Sequence, residues 1–479
     1  MGVFFAYRHK VAMASPFLNK RTWYTEVKRI QRSIYMKVAI IGASFAGVTA
    51  ALEVRKHHPN AEISLLEKQP QLGYIPNGLH LYLDKKIDSL SQAYFIKDAD
   101  LEQRRIKILL ESTVEKVDTA NHQLTYRRDN EAVTMEYDKL IIATGSSQLS
   151  HKIEGSGSDR VLKYKRLKGA EDALETLQAS QHVTIIGGGQ IGVEAADLLT
   201  KNGKQVALVE NMDYVLFKYF DKDMIQPIQE EMQEAGVALY MNQTVSAIKE
   251  AGDKLEIKLG NKSIESDTAI LAVNVRPDLS FLDGQIDLHM DHTIAVDEYL
   301  RTSHPDVLAV GDCIQLPSCM GEEAMYIPLV NNAVRTGIVA AANLVKPAQT
   351  FNGSLRTIGT SAFGYHIAST GMTESDSLFS DYPIGVKRQI VPANSLPFAE
   401  EVLIKYVYNE ETRELLGAQL VSKADVLEKI NTLALAIQTN QTLEDLSQKE
   451  FFFHPTFTNT IETTNLVAWP HIRRDTDES

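Results

Sequence analysis

"HVTIIGGGQIGVEAADLLTKNGKQVALVE", residues 182 to 210, reads as a buried β-branched strand, a glycine turn, a helix and a second strand. Gly187, Gly189 and Gly192 stand in full G-x-G-x-x-G spacing, with Ile191 inside the motif, and Glu210 closes the second strand. Each position has a physical reason. The first glycine makes the tight turn, the second leaves room for a pyrophosphate, and the third lets helix and strand pack closely. The helix N-terminus offers free N–H groups and a favourable dipole to phosphate, and the acid accepts hydrogen bonds from a ribose.

The same pattern stands earlier in the chain. "KVAIIGASFAGVTAALEV" (residues 37–54) places Gly42, Ala43, Ser44, Phe45, Ala46 and Gly47 in a second, imperfect fingerprint. Ser44 occupies the usual middle glycine. About twenty residues on, "AEISLLEK" is a strand ending at Glu67, followed by Lys68. Alone, this copy does not separate a nucleotide site from an ordinary βαβ unit. Two fingerprints in one chain imply two dinucleotides and an α/β fold.

The bulk numbers agree with that class. A chain of 479 residues allows two to four domains, and 44% hydrophobic with 23% charged residues is ordinary for a globular protein. The net charge of -13 argues against nucleic acid as a partner. No uninterrupted apolar run reaches the roughly 18 residues of a membrane helix. The two cysteines, Cys313 and Cys319, rule out a disulfide framework and fit a reducing, cytoplasmic compartment. Histidines are scattered, with His57–His58 at a solvated helix end, and no metal cluster is read. Residues 1–35 hold seven Lys/Arg and one acid, Glu26. They read as an unstructured upstream extension ahead of a start at Met36, with a transit peptide as the alternative.

"YDKLIIATG" (residues 137–145), ending in Ala143, Thr144 and Gly145, and "RTSHPDVLAVGDC" (residues 301–313), carrying Asp312, are two further strand-and-turn segments. With "GASFAG", "YIPLVNNAVRTGIVAAANLV", "TIGTSAFGYHIASTGMTE", "FFFHPTFTNT" and "KYFD", they resemble the pyridine nucleotide–disulfide oxidoreductase family. The likeness runs from Met36 to about Trp469 and is strongest to the NADH oxidase, NADH peroxidase and coenzyme A–disulfide reductase branch. The motif order implies a flavin domain interrupted by a nicotinamide domain, so that FAD takes the first site and NADH the second. It implies Asp312 beside the flavin ribityl chain. It completes the cofactor-contacting set with Val114, Tyr219, Asn274 and Leu329.

The implied architecture is α/β: two Rossmann-like dinucleotide-binding domains, the NAD domain inserted in the FAD domain, and a C-terminal α+β dimerisation domain. The expected boundaries are an FAD domain at 36–150 and 273–348, an NAD domain at 151–272, a dimerisation domain at 349–470 and a tail at 471–479. A helix is expected from Ala424 onward. The partner in a homodimer completes the flavin site through the region of His454.

Relatives in this branch carry a redox cysteine that aligns, on Gly78, with Asn77 of "LGYIPNGLHLYL". The peroxidases carry a histidine in the first fingerprint, where this chain has Phe45. Cys313 reads as a small buried apolar residue, and Cys319 as the other thiol that could approach the site. A carboxamide hydrogen-bonds but cannot store electrons. The resemblance therefore implies an FAD-dependent NADH oxidase that gives oxygen two electrons and releases hydrogen peroxide. Asn77 and His454 are the expected catalytic residues. Asn77 is expected beside the flavin at the start of a helix near Gly78, whose dipole would favour negative charge there; simple helix capping is its alternative role. His454 is a polar group near the flavin or a proton donor. The alternatives for the whole chain are an NADH-dependent electron-transfer flavoprotein serving a protein or quinone, and a non-catalytic FAD/NAD redox sensor. Glu210, with no Lys or Arg at 211–217, predicts NADH over NADPH, Lys218 being too far along.

Overall fold

The computed structural model of the chain describes residues 36–148, 153–273, 275–318, 324–379 and 383–469. The basic extension, the tail, Asn274 and Cys319 lie outside them.

The first sheet is parallel, in the order Val307–Ala309, Lys139–Ile142, Lys37–Ile41, Glu62–Leu66, Ile106–Leu109. Helices cover it, so its strands are continuous apolar runs rather than alternating ones. Val38, Ile40, Ile63, Leu65, Leu140 and Ile141 are all buried, and each contributes roughly 1.5–3 kcal/mol by leaving water. Register decides where the site falls. Ile41 pairs with both Leu66 and Ile142, and Ile142 with Ala309. The turns after these strands therefore open along one edge, where α/β sheets bind ligands.

The second sheet repeats the plan, in the order Ala238–Tyr240, Gln205–Val209, His182–Ile186, Thr268–Leu271, Val161–Leu162, again parallel. The duplication goes further than the fingerprints. Each unit carries a three-stranded antiparallel meander, Thr113–Asp118 to Glu131–Glu136 in the first and Val245–Ala251 to Lys262–Ser266 in the second. The strand Val307–Ala309 then brings the chain back into the first sheet, beside Lys139–Ile142. The helix Val330–Asn343 follows and lies against Phe45–His57. Gly337 makes that approach possible, since a Cβ there would sit 2.7 Å from the Ala46 carbonyl oxygen.

The C-terminal unit is an antiparallel five-stranded sheet, in the order Ile358–Ala362, Tyr365–Gly371, Leu415–Ser422, Glu401–Asn409, Ile384–Pro392. The helix Lys429–Gln438 packs on it. That helix begins five residues later than the periodicity from Ala424 suggests, because Asp425 turns the chain with its carboxylate on the Leu427 N–H. Among the described residues no helix is long and apolar enough to cross a membrane.

Candidate active site

A cavity of about 1000 Å³ opens where the strand ends of the two parallel sheets face each other. The turn Gly42, Ala43, Ser44, Phe45, Ala46 forms part of its wall, with Glu67, Lys68 and Val114 nearby in the first unit. Ala143, Thr144, Gly145, Asp312 and Leu329 also line it. From the second unit come Gly189, Ile191 and Tyr219, and from the C-terminal sheet Thr357 to Gly359. Asn77 lies on the same wall.

Four expected cofactor residues stand behind the wall instead: Gly47, Gly187, Gly192 and Glu210 are absent from the lining. A Cβ on Gly47 would lie 1.8 Å from the Gly42 carbonyl oxygen, and one on Gly192 1.9 Å from that of Gly187. Both glycines act by letting helix and strand touch. The middle position differs. Ser44 is extended (φ -98°), and a Cβ on Gly189 would meet nothing within 4 Å. The fold itself tolerates a side chain there, which is why serine can replace glycine in the first copy.

The two acids perform the same local task. Glu67 accepts from the Ala43 N–H at 2.9 Å and the Gln69 N–H at 3.0 Å. Glu210 accepts from the Gly188 N–H at 2.6 Å and the Met212 N–H at 2.9 Å. Each carboxylate thus clasps its glycine turn to the next strand. Glu67 does so on the cavity wall, Glu210 while buried behind it.

Lys68 and Arg166 share one end of the cavity. Burial, then the Arg166 charge, pushes the Lys68 ammonium down. Two cations crowding a partly buried site, with an open glycine edge at Gly145 and Gly189, fit a dinucleotide pyrophosphate. Asp312 accepts from the Ser146 hydroxyl at 2.7 Å and from Lys165 Nζ at 3.1 Å. Ser146 directly follows the ATG turn; nothing in the sequence singles out Lys165.

Asn77 does not cap the helix Gly78–Leu83, and that helix is only six residues long. Both the capping role and the dipole argument are therefore corrected. The carboxamide instead donates to Glu194 Oε2 at 3.2 Å. Glu194 also meets His80 Nδ1 at 3.0 Å and accepts from Gln190 Nε2 at 3.0 Å and from the Thr360 hydroxyl. His80 Nε2 lies 2.9 Å from the Tyr164 hydroxyl. Burial pushes Glu194 up, but the hydrogen bonds from His80 and Thr360 outweigh it and hold the carboxyl below its ordinary value. Sequence reasoning missed this group. Its signal was an acid between the buried Val193 and Ala195.

His454 is exposed and does not line the cavity. Its N–H donates to the Thr458 hydroxyl and its ring lies against Phe457. Phe452, Phe453 and Phe457 are exposed around it. Cys313 is fully buried, donates to the Val310 carbonyl, and has its thiol pushed up to about 12 by burial. Among the described residues it is the only cysteine, and it is not on the wall. The one acidic cluster with metal-ligand spacing among the described residues, Asp221, Asp223 and Glu374, is filled by Lys405 Nζ.

The family described as pyridine nucleotide-disulphide oxidoreductase matches residues 36–337, and its dimerisation domain matches residues 359–465. An NADH oxidase of Enterococcus faecalis is 30% identical over 439 residues, 90% of this chain and 98% of that protein. A crystal structure of a pyridine nucleotide-disulfide family oxidoreductase from Enterococcus faecalis is 43% identical, with a TM-score of 0.83 over 90% of this chain and 98% of the other. The structure of a water-forming NADH oxidase from Lactobacillus brevis bound to NADH is 31% identical, with a TM-score of 0.87 over 90% and 97%.

Proposed function

Because this chain belongs to the pyridine nucleotide–disulphide oxidoreductase family and is an FAD-dependent NAD(P)H oxidoreductase, we propose that it oxidises NADH and passes two electrons to oxygen, releasing hydrogen peroxide. The observation that carries this reading is the carboxamide of Asn77, tied to Glu194 on the cavity wall at the position where the family resemblance implies a redox cysteine. Cys313, sealed in the core, cannot serve in its place.

FAD, when bound, would supply the hydride acceptor and the two-electron donor. The chain's own residues supply binding and orientation. The clasped turn at Gly42–Ala46, with Lys68 and Arg166, would hold the pyrophosphate. Asp312, oriented by Ser146 and Lys165, would accept from the ribityl hydroxyls. Gly189, Ile191 and Tyr219 form the nicotinamide side of the cavity. Residues 36–150 with 273–348, and 151–272, are assigned to the FAD and NAD domains. We assign a homodimer, which would cover the apolar surface around His454 and bring that region to the partner's site.

Anaerobic titration should consume about one NADH per flavin, because among the described residues no second two-electron centre stands on the wall. Admitting air should give about one hydrogen peroxide per NADH. Water as the product, with no peroxide accumulating and catalase absent, overturns the reading. Asn77→Cys should take up extra electrons and release less peroxide.

NADH should be preferred to NADPH by a factor of about 100 or more in kcat/KM, since residues 211–217 carry no Lys or Arg to hold a 2′-phosphate and the buried Glu210 carboxylate adds like charge behind the turn. Lys218, the first cation after that strand, lines the cavity and donates to the Tyr326 carbonyl. Equal flavin bleaching by the two nucleotides at limiting concentration would show this assignment to be wrong.

A further inference from the structure

His80 is buried, lines the cavity beside Asn77, and has both ring nitrogens engaged. Glu194, held below its ordinary value, is an acceptor only. The proton between Glu194 and His80 therefore sits on Nδ1, and Nε2 accepts the Tyr164 O–H. Burial pushes the Tyr164 hydroxyl well up, so it stays protonated and acts as a relay rather than a base. Tyr164 also lines the cavity. The line Glu194–His80–Tyr164 thus runs from a fixed anion, through an imidazole, to the reaction space. No role in cofactor binding explains it.

We propose that His80 is the proton store of this enzyme: it takes up a proton when hydride enters the cavity and returns it, through Tyr164, to oxygen as the electrons leave. The inference rests on the oxidase reading above for its second half only.

The balance requires such a source. Making hydrogen peroxide takes oxygen, two electrons and two protons. A hydride brings two electrons and one proton, so one more proton must arrive. Entry of a hydride also adds one negative charge to the cavity that His80 lines, which favours a cation nearby. Histidine is the side chain that exchanges a proton near neutral pH. When Nε2 gains a proton it donates to the Tyr164 oxygen, and the Tyr164 proton turns towards the cavity. On reoxidation the Tyr164 proton passes to oxygen, the Nε2 proton replaces it, and His80 is neutral again.

Against the helix Gly78–Leu83 pack the helix Gln190–Lys201, with Glu194, Asp197 and Lys201, and the helix Leu167–Ala179, with Lys168, Glu171, Asp172 and Glu175; Asp197 pairs with Lys201, and Asp172 with Lys168. Glu194 comes from the helix Gln190–Lys201, and Tyr164 stands just ahead of the helix Leu167–Ala179. Tyr74 places its hydroxyl against Gly78, and Glu171 acts on Tyr74 and Tyr94. Glu194 is the carboxylate in direct contact with the ring.

The test is anaerobic reduction of the yellow protein by NADH in weakly buffered solution with a pH indicator. The wild type should take up about one proton per NADH near pH 7.5, and uptake should fade as the pH falls to where an imidazole already carries its proton. His80→Gln, which keeps a hydrogen bond to Tyr164 but holds no proton, should still be reduced by NADH and take up none. Tyr164→Phe should keep the uptake and slow reoxidation by air roughly 100-fold. No uptake by the wild type, uptake that persists unchanged at low pH, or equal uptake by His80→Gln overturns the proposal. The wild-type pH series needs no variant to fold. A wrong acceptor has a different signature: normal anaerobic uptake, with no peroxide when air is admitted.

Discussion

Replacing Gly47 with valine is expected to yield a colourless protein. A Cβ at this position would lie 1.8 Å from the Gly42 carbonyl oxygen and 3.3 Å from the Ala143 Cβ. Neither the carbonyl nor the strand end behind it can rotate away. The helix Phe45–His57 must lift off the sheet, and it carries the turn Gly42–Ser44 with it. The turn's backbone is held by the Glu67 clasp, by this contact and by the Gly42 N–H on the Leu66 carbonyl. Overpacking of this kind costs about 1–3 kcal/mol in the fold. Flavin affinity should suffer more, because every turn donor is displaced at once. Retained FAD should fall below roughly a tenth of wild type, since even 1.4 kcal/mol is a factor of ten in binding. The control is Gly145→Ala. Gly145 lines the cavity, but a Cβ there meets nothing within 4 Å; only its left-handed backbone (φ +66°) resists the change. That variant should fold with a penalty of about 1 kcal/mol. The flavin absorbance of the two purified proteins, and reconstitution of each with FAD, decide the matter. A fully yellow Gly47→Val protein would mean that the turn is held by something other than helix contact.

The fingerprints were legible because their physics is local. Gly47 meets Gly42 and Gly192 meets Gly187, each five residues back along the chain, so spacing alone reports them. The parallel sheets followed from β-branched runs such as "KVAII" and "HVTII", buried on both faces. The site was harder to read. Asn77, Tyr164, Glu194 and Thr360 lie on four separate segments, and no spacing relates them. Even Glu210 was read for the ligand it could meet, while its oxygens are taken by Gly188 and Met212. What the sequence did carry was misfits: a histidine between Leu79 and Leu81, and an acid between Val193 and Ala195. Such residues persist in apolar elements only when a partner satisfies them. A lone charge in a buried run therefore announces a network without naming its members.

"EVLIKYVYN", the strand Glu401–Asn409, holds the most pronounced of these misfits, and Lys405→Met is expected to destabilise the protein by about 3 kcal/mol. Lys405 is 2% exposed and joins the C-terminal sheet to the second nucleotide unit. Its Nζ lies 3.3 Å from Asp221, 2.7 Å from Asp223 and 2.5 Å from Glu374. Asp223 and Glu374 are roughly half exposed and can turn to water, so their share is screened. Asp221 cannot. It is buried and accepts from the Glu374 and Ser375 N–H groups, the Ser375 hydroxyl and Gln419 Nε2. Those donors keep the loss at the lower end for a broken buried pair. Burial pushes Asp221 up, but the donors and Lys405 more than offset it and hold the carboxyl below its ordinary value. Its stabilising contribution is thus present above the unfolded carboxylate range and is lost as the pH falls through the lower folded value. Without Lys405 the carboxylate is less favoured, and protonating it relieves the variant. The gap between variant and wild type, read from the urea transition of the C-terminal unit, should therefore be full at pH 7 and narrow towards pH 4. Adding Asp221→Asn to Lys405→Met should recover much of the loss, because the two sites share one interaction. A loss under about 1 kcal/mol at pH 7, or a gap that widens in acid, would mean that Asp221 is satisfied by its backbone and amide donors alone, and that the lysine contributes packing rather than charge.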